Sequence, residues 1–270
     1  MAVLNNEIGA HTFSLVWHGR ASDCIEELHS EGFRKIQLLV SPPHVEMFHD
    51  REAERIRNVL DANGIDLISI DLPASEYNLA SPISELAEYS CRAYLELVDF
   101  AAKLGSRSIT LVAGRRHSLL EAPSGYLEGV FLPSFRRILA RAQEQGVRVI
   151  VENHPQSLLS TASSIRTLSD EYPDTGVLYD VANAVAVDED PAEGICILSD
   201  VIKVLHLSDA KEKEWRHDPI GDGSINFSEV IDTVKKYQID CDVVLEIFSK
   251  QPVRDLISGR EKIVKLMEKA

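Results

Sequence analysis

Short aliphatic and β-branched runs alternate along this chain with longer stretches in which apolar residues recur at helical spacing. The first strand is expected within 8–17, and 21–32 follows as a helix with Cys24, Ile25 and Leu28 on one face. Residues 35–40 form a short strand closed by Ser41-Pro42-Pro43, and 50–63 a charged amphipathic helix ending at Gly64. Further strands are expected at 66–70, 108–112, 147–151, 176–180, 202–206 and 242–247. Helices are expected at 83–104, 127–145, 162–171, 192–198, 227–237 and 252–269, with Pro133 kinking or interrupting its helix, or marking that helix's first turn. Eight strands, each followed by a helix, make the chain α/β, a single-domain (β/α)8 TIM barrel over residues 1–270. An open doubly wound sheet would want a Gly-rich phosphate turn, and neither G-x-G-x-x-G nor G-x-x-x-x-G-K-[ST] occurs.

The run Val147-Arg148-Val149-Ile150-Val151 changes abruptly to Glu152-Asn153-His154-Pro155. A carboxylate that ends a buried strand must be paired, protonated or bound to a cation, because an unpaired buried charge is strongly destabilising. The next three strands end alike, in Asp180, His206 and Glu246. In a barrel the strand ends carry the chemistry. Three carboxylates together repel and raise one another's pKa values, and one imidazole compensates too little. One divalent cation held by Glu152, Asp180, His206 and Glu246 resolves this, and the oxygen-rich donor set places Mn²⁺ first, with Mg²⁺, Co²⁺ or Zn²⁺ as alternatives.

Composition narrows the partners. The formal charge of -15 opposes binding of nucleic acid, and a small-molecule partner fits better. No apolar run approaches the roughly 20 residues of a membrane span, and Met1-Ala2-Val3-Leu4-Asn5-Asn6 lacks the regions of a signal peptide, so a cytoplasmic protein with no membrane partner is expected. Cys24, Cys91, Cys196 and Cys241 have neither zinc-site nor disulfide spacing and read as buried small hydrophobes.

The motifs Glu152-Asn153-His154-Pro155, Asp180-Val181-Ala182-Asn183, His206-Leu207-Ser208-Asp209, Pro219-Ile220-Gly221-Asp222-Gly223 with Ile225, and Leu245-Glu246 together resemble the xylose isomerase-like TIM-barrel superfamily. The resemblance covers essentially the whole chain. It implies a metal-dependent sugar isomerase or epimerase acting on a small sugar or sugar phosphate, with Glu152 and Glu246 as catalytic carboxylates exchanging protons through an enediolate. It leaves open a keto-polyol dehydratase of the inosose type using the same metal. An endonuclease IV-like apurinic endonuclease is disfavoured, because Asn183 stands where a second histidine is expected and Ile70-Asp71 and Val112-Ala113 end strands three and four.

Beside these, His154, His217, Asn183 and Trp17 are expected to contact substrate, Trp17 by stacking on a sugar face, and Asp209 to support the site from behind. Arg216 is a weaker candidate. Arg115, Arg116 and His117 read as a solvated basic loop, His11 as a structural histidine of the first strand, and His44 and His49 as surface residues. A homo-oligomer is compatible with the sequence, which maps no interface.

Overall fold

The computed structural model describes residues 7–117, 119–120, 122–123 and 125–269. Eight parallel strands close in sequence order, each hydrogen-bonded to its neighbours and β8 returning to β1. They are β1 Gly9–His11, β2 Lys35–Leu39, β3 Asp66–Asp71, β4 Ser108–Val112, β5 Arg148–Glu152, β6 Gly176–Asp180, β7 Ile202–Leu207 and β8 Asp242–Leu245. The helices α1 Ala21–Ser30, α2 Asp50–Asn63, α3 Ser84–Leu104, α4 Tyr126–Gln145, α5 Ala162–Glu171, α6 Val181–Ala186, α7 Pro191–Ile197, α8 Phe227–Lys236 and α9 Pro252–Lys269 surround them. This is the expected (β/α)8 barrel. Among the described residues no helix is long and apolar enough to cross a membrane.

Several local expectations change. The first strand spans three residues, and Phe13–Leu15 is a 3₁₀ turn, so His11 ends a strand instead of lying inside one. Pro133 neither interrupts α4 nor marks its first turn: the helix runs through it, because the buried Leu127, Phe131, Phe135 and Ile138 face offsets the one lost hydrogen bond. A short helix, α6, follows directly on Asp180, whose Oδ1 accepts the Asn183 N–H at 2.7 Å. Of the cysteines, Cys24 and Cys91 are buried, but Cys196 is exposed on α7 and Cys241 half-buried. His44 is not a surface residue. The loop after β2 folds over the start of α1, burying the ring, whose Nδ1 lies 2.9 Å from the Gly19 carbonyl, and burial pushes its pKa down.

Inside the barrel, Ile68, Ile150, Leu178, Val204 and Val244 pack as a cluster separate from the larger shell between sheet and helices. Four of them stand two residues before Glu152, Asp180, His206 and Glu246. Side chains two apart on a strand share a face, so all four polar groups point into the barrel mouth, directly above a dry aliphatic floor. The register agrees, with Asp180 paired to His206 and Glu152 to Leu178, while the Glu246 N–H continues the ladder to the Leu207 carbonyl at 3.2 Å. Truncating this floor leaves a cavity under the site: Leu178→Ala is expected to lower unfolding stability by about 2–5 kcal/mol in a urea titration followed by circular dichroism.

Candidate active site

One ligand atom from each of Glu152, Asp180, His206 and Glu246 lies within 4.8 Å of every other. His206 Nδ1 is 3.2 Å from Glu246 Oε2 and 3.5 Å from Asp180 Oδ2. Asp180 is fully buried, and its Oδ2 has no hydrogen-bond partner although Oδ1 caps α6. A buried carboxylate oxygen left without a donor, aimed at two further carboxylates and an imidazole, is an arrangement that a divalent cation satisfies. The donor set therefore fits one divalent metal ion.

The electrostatics point the same way. Burial, and then the neighbouring Glu246, hold the Glu152 carboxyl well above the usual carboxylate range. Burial would also raise Glu246, but the imidazoles of His206 and then His217 outweigh it and pull that carboxyl down. His206 rises well above its ordinary value because Glu246 and Asp180 overcome the cost of burying the charged ring. Without a cation, the surroundings thus favour the protonated forms of Glu152 and His206.

The surrounding side chains fix these groups in place. The Asn153 amide clamps Asp180 from β5, donating to its carbonyl at 2.9 Å and accepting its N–H at 2.7 Å. Asn183 donates to Glu152 Oε1 at 3.2 Å and to the Asn153 carbonyl at 2.9 Å, while its Oδ1 accepts the Trp215 indole N–H at 3.0 Å. Its amide thus supports Glu152 while the residue also borders the cavity. Asp209 organises the long loop between β7 and α8. Its oxygens accept the N–H groups of Ala210, Gly221 and Ile225 at 3.0, 2.8 and 3.2 Å, and a backbone bridge joins it to Asp218. A Cβ on Gly223 would stand 2.3 Å from Asp209 Oδ1, so the loop turn requires glycine there. So held, His217 sits with Nδ1 3.1 Å from Ser208 Oγ and 3.3 Å from Glu246 Oε2.

A cavity of about 70 Å³ opens above the cluster, bordered by Glu152, Glu246, His154, Asn183 and His217. Trp17 is not on it: the indole is 79 % exposed, carried away by the turn after β1. The aromatic walls are Phe13, Trp215 and Phe248, with Trp215 edge-on to His154 at 4.8 Å. His154 is neutral at neutral pH, its pKa lowered to about 4 by burial and by Arg115. The basic loop is tied down, Arg115 donating to the Ser75 carbonyl and Gln156 Oε1 and Arg116 to the Leu158 carbonyl, while Arg216 pairs with Asp218. Sequence reading missed Asp71, which lines the cavity, and His11, which is 1 % exposed and 2.9 Å from Asp71. Asp71 was findable, since it ends β3 as Glu152 ends β5. Trp215 gave no signal, because it lies in a loop without periodicity.

The family model described as xylose isomerase-like TIM barrel matches residues 25–268. The chain belongs to this family. A probable L-ribulose-5-phosphate 3-epimerase of Mycoplasma pneumoniae, UlaE, is 25 % identical over 210 residues, which are 74 % of this chain and 66 % of that protein. Among solved structures, a D-tagatose 3-epimerase-like protein superposes with a TM-score of 0.86 at 20 % identity, covering 97 % of each chain. The apo form of a 3-keto-D-glucoside 4-epimerase from E. coli gives 0.79 at 13 % identity, covering 96 % of this chain and 99 % of that one.

Because metal ligands must be deprotonated, the raised Glu152 and His206 make a proton-linked site. Divalent-metal binding is expected to release protons, and affinity to rise with pH until both groups have lost theirs. Calorimetric titration of the metal in buffers of different ionisation enthalpy measures that release.

Proposed function

We propose that this family member is a divalent-metal-dependent sugar isomerase or epimerase acting on a small open-chain ketose or its phosphate. The observation that carries the reading is the four-group cluster with the orphaned Asp180 oxygen, opening onto a cavity that two glutamates of that cluster line. The names of the related proteins, epimerases of ketoses and of a keto-glucoside, support the same chemistry.

Glu152, Asp180, His206 and Glu246 would hold the ion, for which the three carboxylates and one imidazole place Mn²⁺ first. A divalent cation there supplies Lewis acidity, polarising the sugar carbonyl and stabilising negative charge on its oxygen. The chain's own residues handle the protons. Glu152 and Glu246 come from strands three apart around the ring, so they approach a substrate between them from different sides. One carboxylate takes the proton from the carbon beside the carbonyl, and the other returns a proton to that carbon or its neighbour. Asn183 keeps Glu152 aimed, while His154 and His217 offer ring nitrogens to substrate hydroxyls. Phe13, Trp215 and Phe248 exclude water and present apolar faces to the C–H bonds of the sugar.

Dehydration of a keto-polyol begins with the same proton abstraction, so the two reactions part only at the second step. An apurinic endonuclease reading finds no support in the site, where Asn183 is occupied by Glu152 and Trp215.

Incubation of the Mn²⁺-loaded protein with a panel of ketoses and ketose phosphates in heavy water tests the reading. Deuterium incorporation without loss of water is expected, and a product lighter by one water would establish the dehydratase instead. Absence of both across the panel, or no metal bound by the purified protein, would remove the proposal. Glu246→Gln and Glu152→Gln are each expected to lower the exchange rate by about 10²–10⁴-fold.

A further inference from the structure

Gln37 lies on β2, 1 % exposed, and reaches across the barrel interior to β7. Its Oε1 is 2.7 Å from His206 Nε2, and its Nε2 is 3.3 Å from Thr110 Oγ1 and 3.4 Å from Asp71 Oδ1. The direction of every hydrogen in this chain of contacts follows from its ends. The Phe13 backbone N–H donates to His11 Nδ1 at 3.2 Å, so that nitrogen is an acceptor, and the ring hydrogen stands on Nε2, which donates to Asp71 Oδ1 at 2.9 Å. Asp71 Oδ1 is thereby an acceptor, and Gln37 must turn its NH₂ toward it. Rotating the amide by half a turn would set carbonyl against carboxylate.

With the NH₂ committed to Asp71 and Thr110, the Gln37 carbonyl faces His206, and a carbonyl only accepts. His206 must therefore carry hydrogen on Nε2. The other ring nitrogen, Nδ1, is the one 3.2 Å from Glu246 Oε2 and 3.5 Å from Asp180 Oδ2, inside the four-group cluster. A ligating histidine whose second nitrogen is held by an acceptor has its ring orientation and tautomer fixed, and losing that acceptor weakens metal affinity.

We propose that Gln37 is a positioning residue of the metal centre: by accepting the Nε2 hydrogen of His206 it presents the Nδ1 lone pair to the cation, and Asp71 and His11 set its own orientation. This rests on the metal-dependent reading above. It gives Asp71 a second role, joining the wall of the substrate cavity to the histidine beneath the ion.

Three proteins test it: wild type, Gln37→Met, which keeps the length but has no acceptor for the ring N–H, and Gln37→Glu, which keeps one. Zn²⁺ affinity is measured by competition with a chromogenic chelator, and the histidine ring nitrogens by ¹⁵N NMR with and without Zn²⁺. Gln37→Met is expected to bind Zn²⁺ about 10–100-fold more weakly and to lose the slowly exchanging Nε2–H signal of His206, which wild type shows in both states. Gln37→Glu is expected to keep that signal and to lose less Zn²⁺ affinity than Gln37→Met, its carboxyl taking up a proton so that an O–H and not a second carboxylate oxygen faces Asp71. Equal affinity of Gln37→Met and wild type, or a wild-type signal showing the hydrogen on Nδ1 in the Zn²⁺ form, overturns the proposal. So does equal weakening in both variants with the Nε2–H signal unchanged, since that is a packing effect. A wild type that binds no Zn²⁺ or Mn²⁺ overturns instead the reading on which this rests, a result distinguishable from all the others.

Discussion

Everything at the mouth of this barrel answers to one constraint: three carboxylates and an imidazole stand together on an aliphatic floor that offers them no water. Ile150, Leu178, Val204 and Val244 exclude solvent below, and the loops narrow its access above. In such a place like charges cannot be left to screening, and the protein responds with directed partners for each group. Asn153 grips both backbone polar groups of Asp180, Asn183 donates to Glu152, and Gln37 accepts from His206. One oxygen of Asp180 receives nothing. The cluster is thus almost fully wired for geometry and short of one positive charge, the condition in which a cation is the missing member.

The same wiring ties the mobile-looking part of the sequence to the rigid part. The loop after β7 has no hydrophobic period, yet Asp209 gathers three of its backbone N–H groups and Gly223 allows the close turn this needs. That places His217 beside Glu246, and it brings Trp215 over to Asn183. Asn183 then touches both the Glu152 carboxylate and the aromatic wall.

The family's fold is shared with proteins that keep fewer than a quarter of these residues. Such tolerance follows from where specificity sits. The floor requires only aliphatic side chains of suitable volume, whereas the cavity wall is built from loop residues, here Phe13, Trp215 and Phe248, whose replacement leaves the barrel's core untouched.

The sequence by itself determined the barrel and the four groups at its mouth. Strand and helix periods are local properties, and a charged residue ending a run of aliphatics is legible because burying it is costly. The strand-end rule, applied to the last four strands, reached Glu152, Asp180, His206 and Glu246, and applied to β3 it would have reached Asp71. Only the tertiary structure decided the rest. Trp17 and Trp215 look alike as exposed-loop aromatics in the chain, and closure of the barrel sends one into solvent and brings the other to the cavity. His44 reads as a surface residue until packing buries it, and Asn183 meets Glu152 and Trp215 only because the barrel brings distant stretches of chain together. Gln37 carries no signal at all in its own strand. Its role depends on His206, 169 residues away, because hydrogen-bond direction is set by which groups meet across the barrel and not by neighbours along the chain.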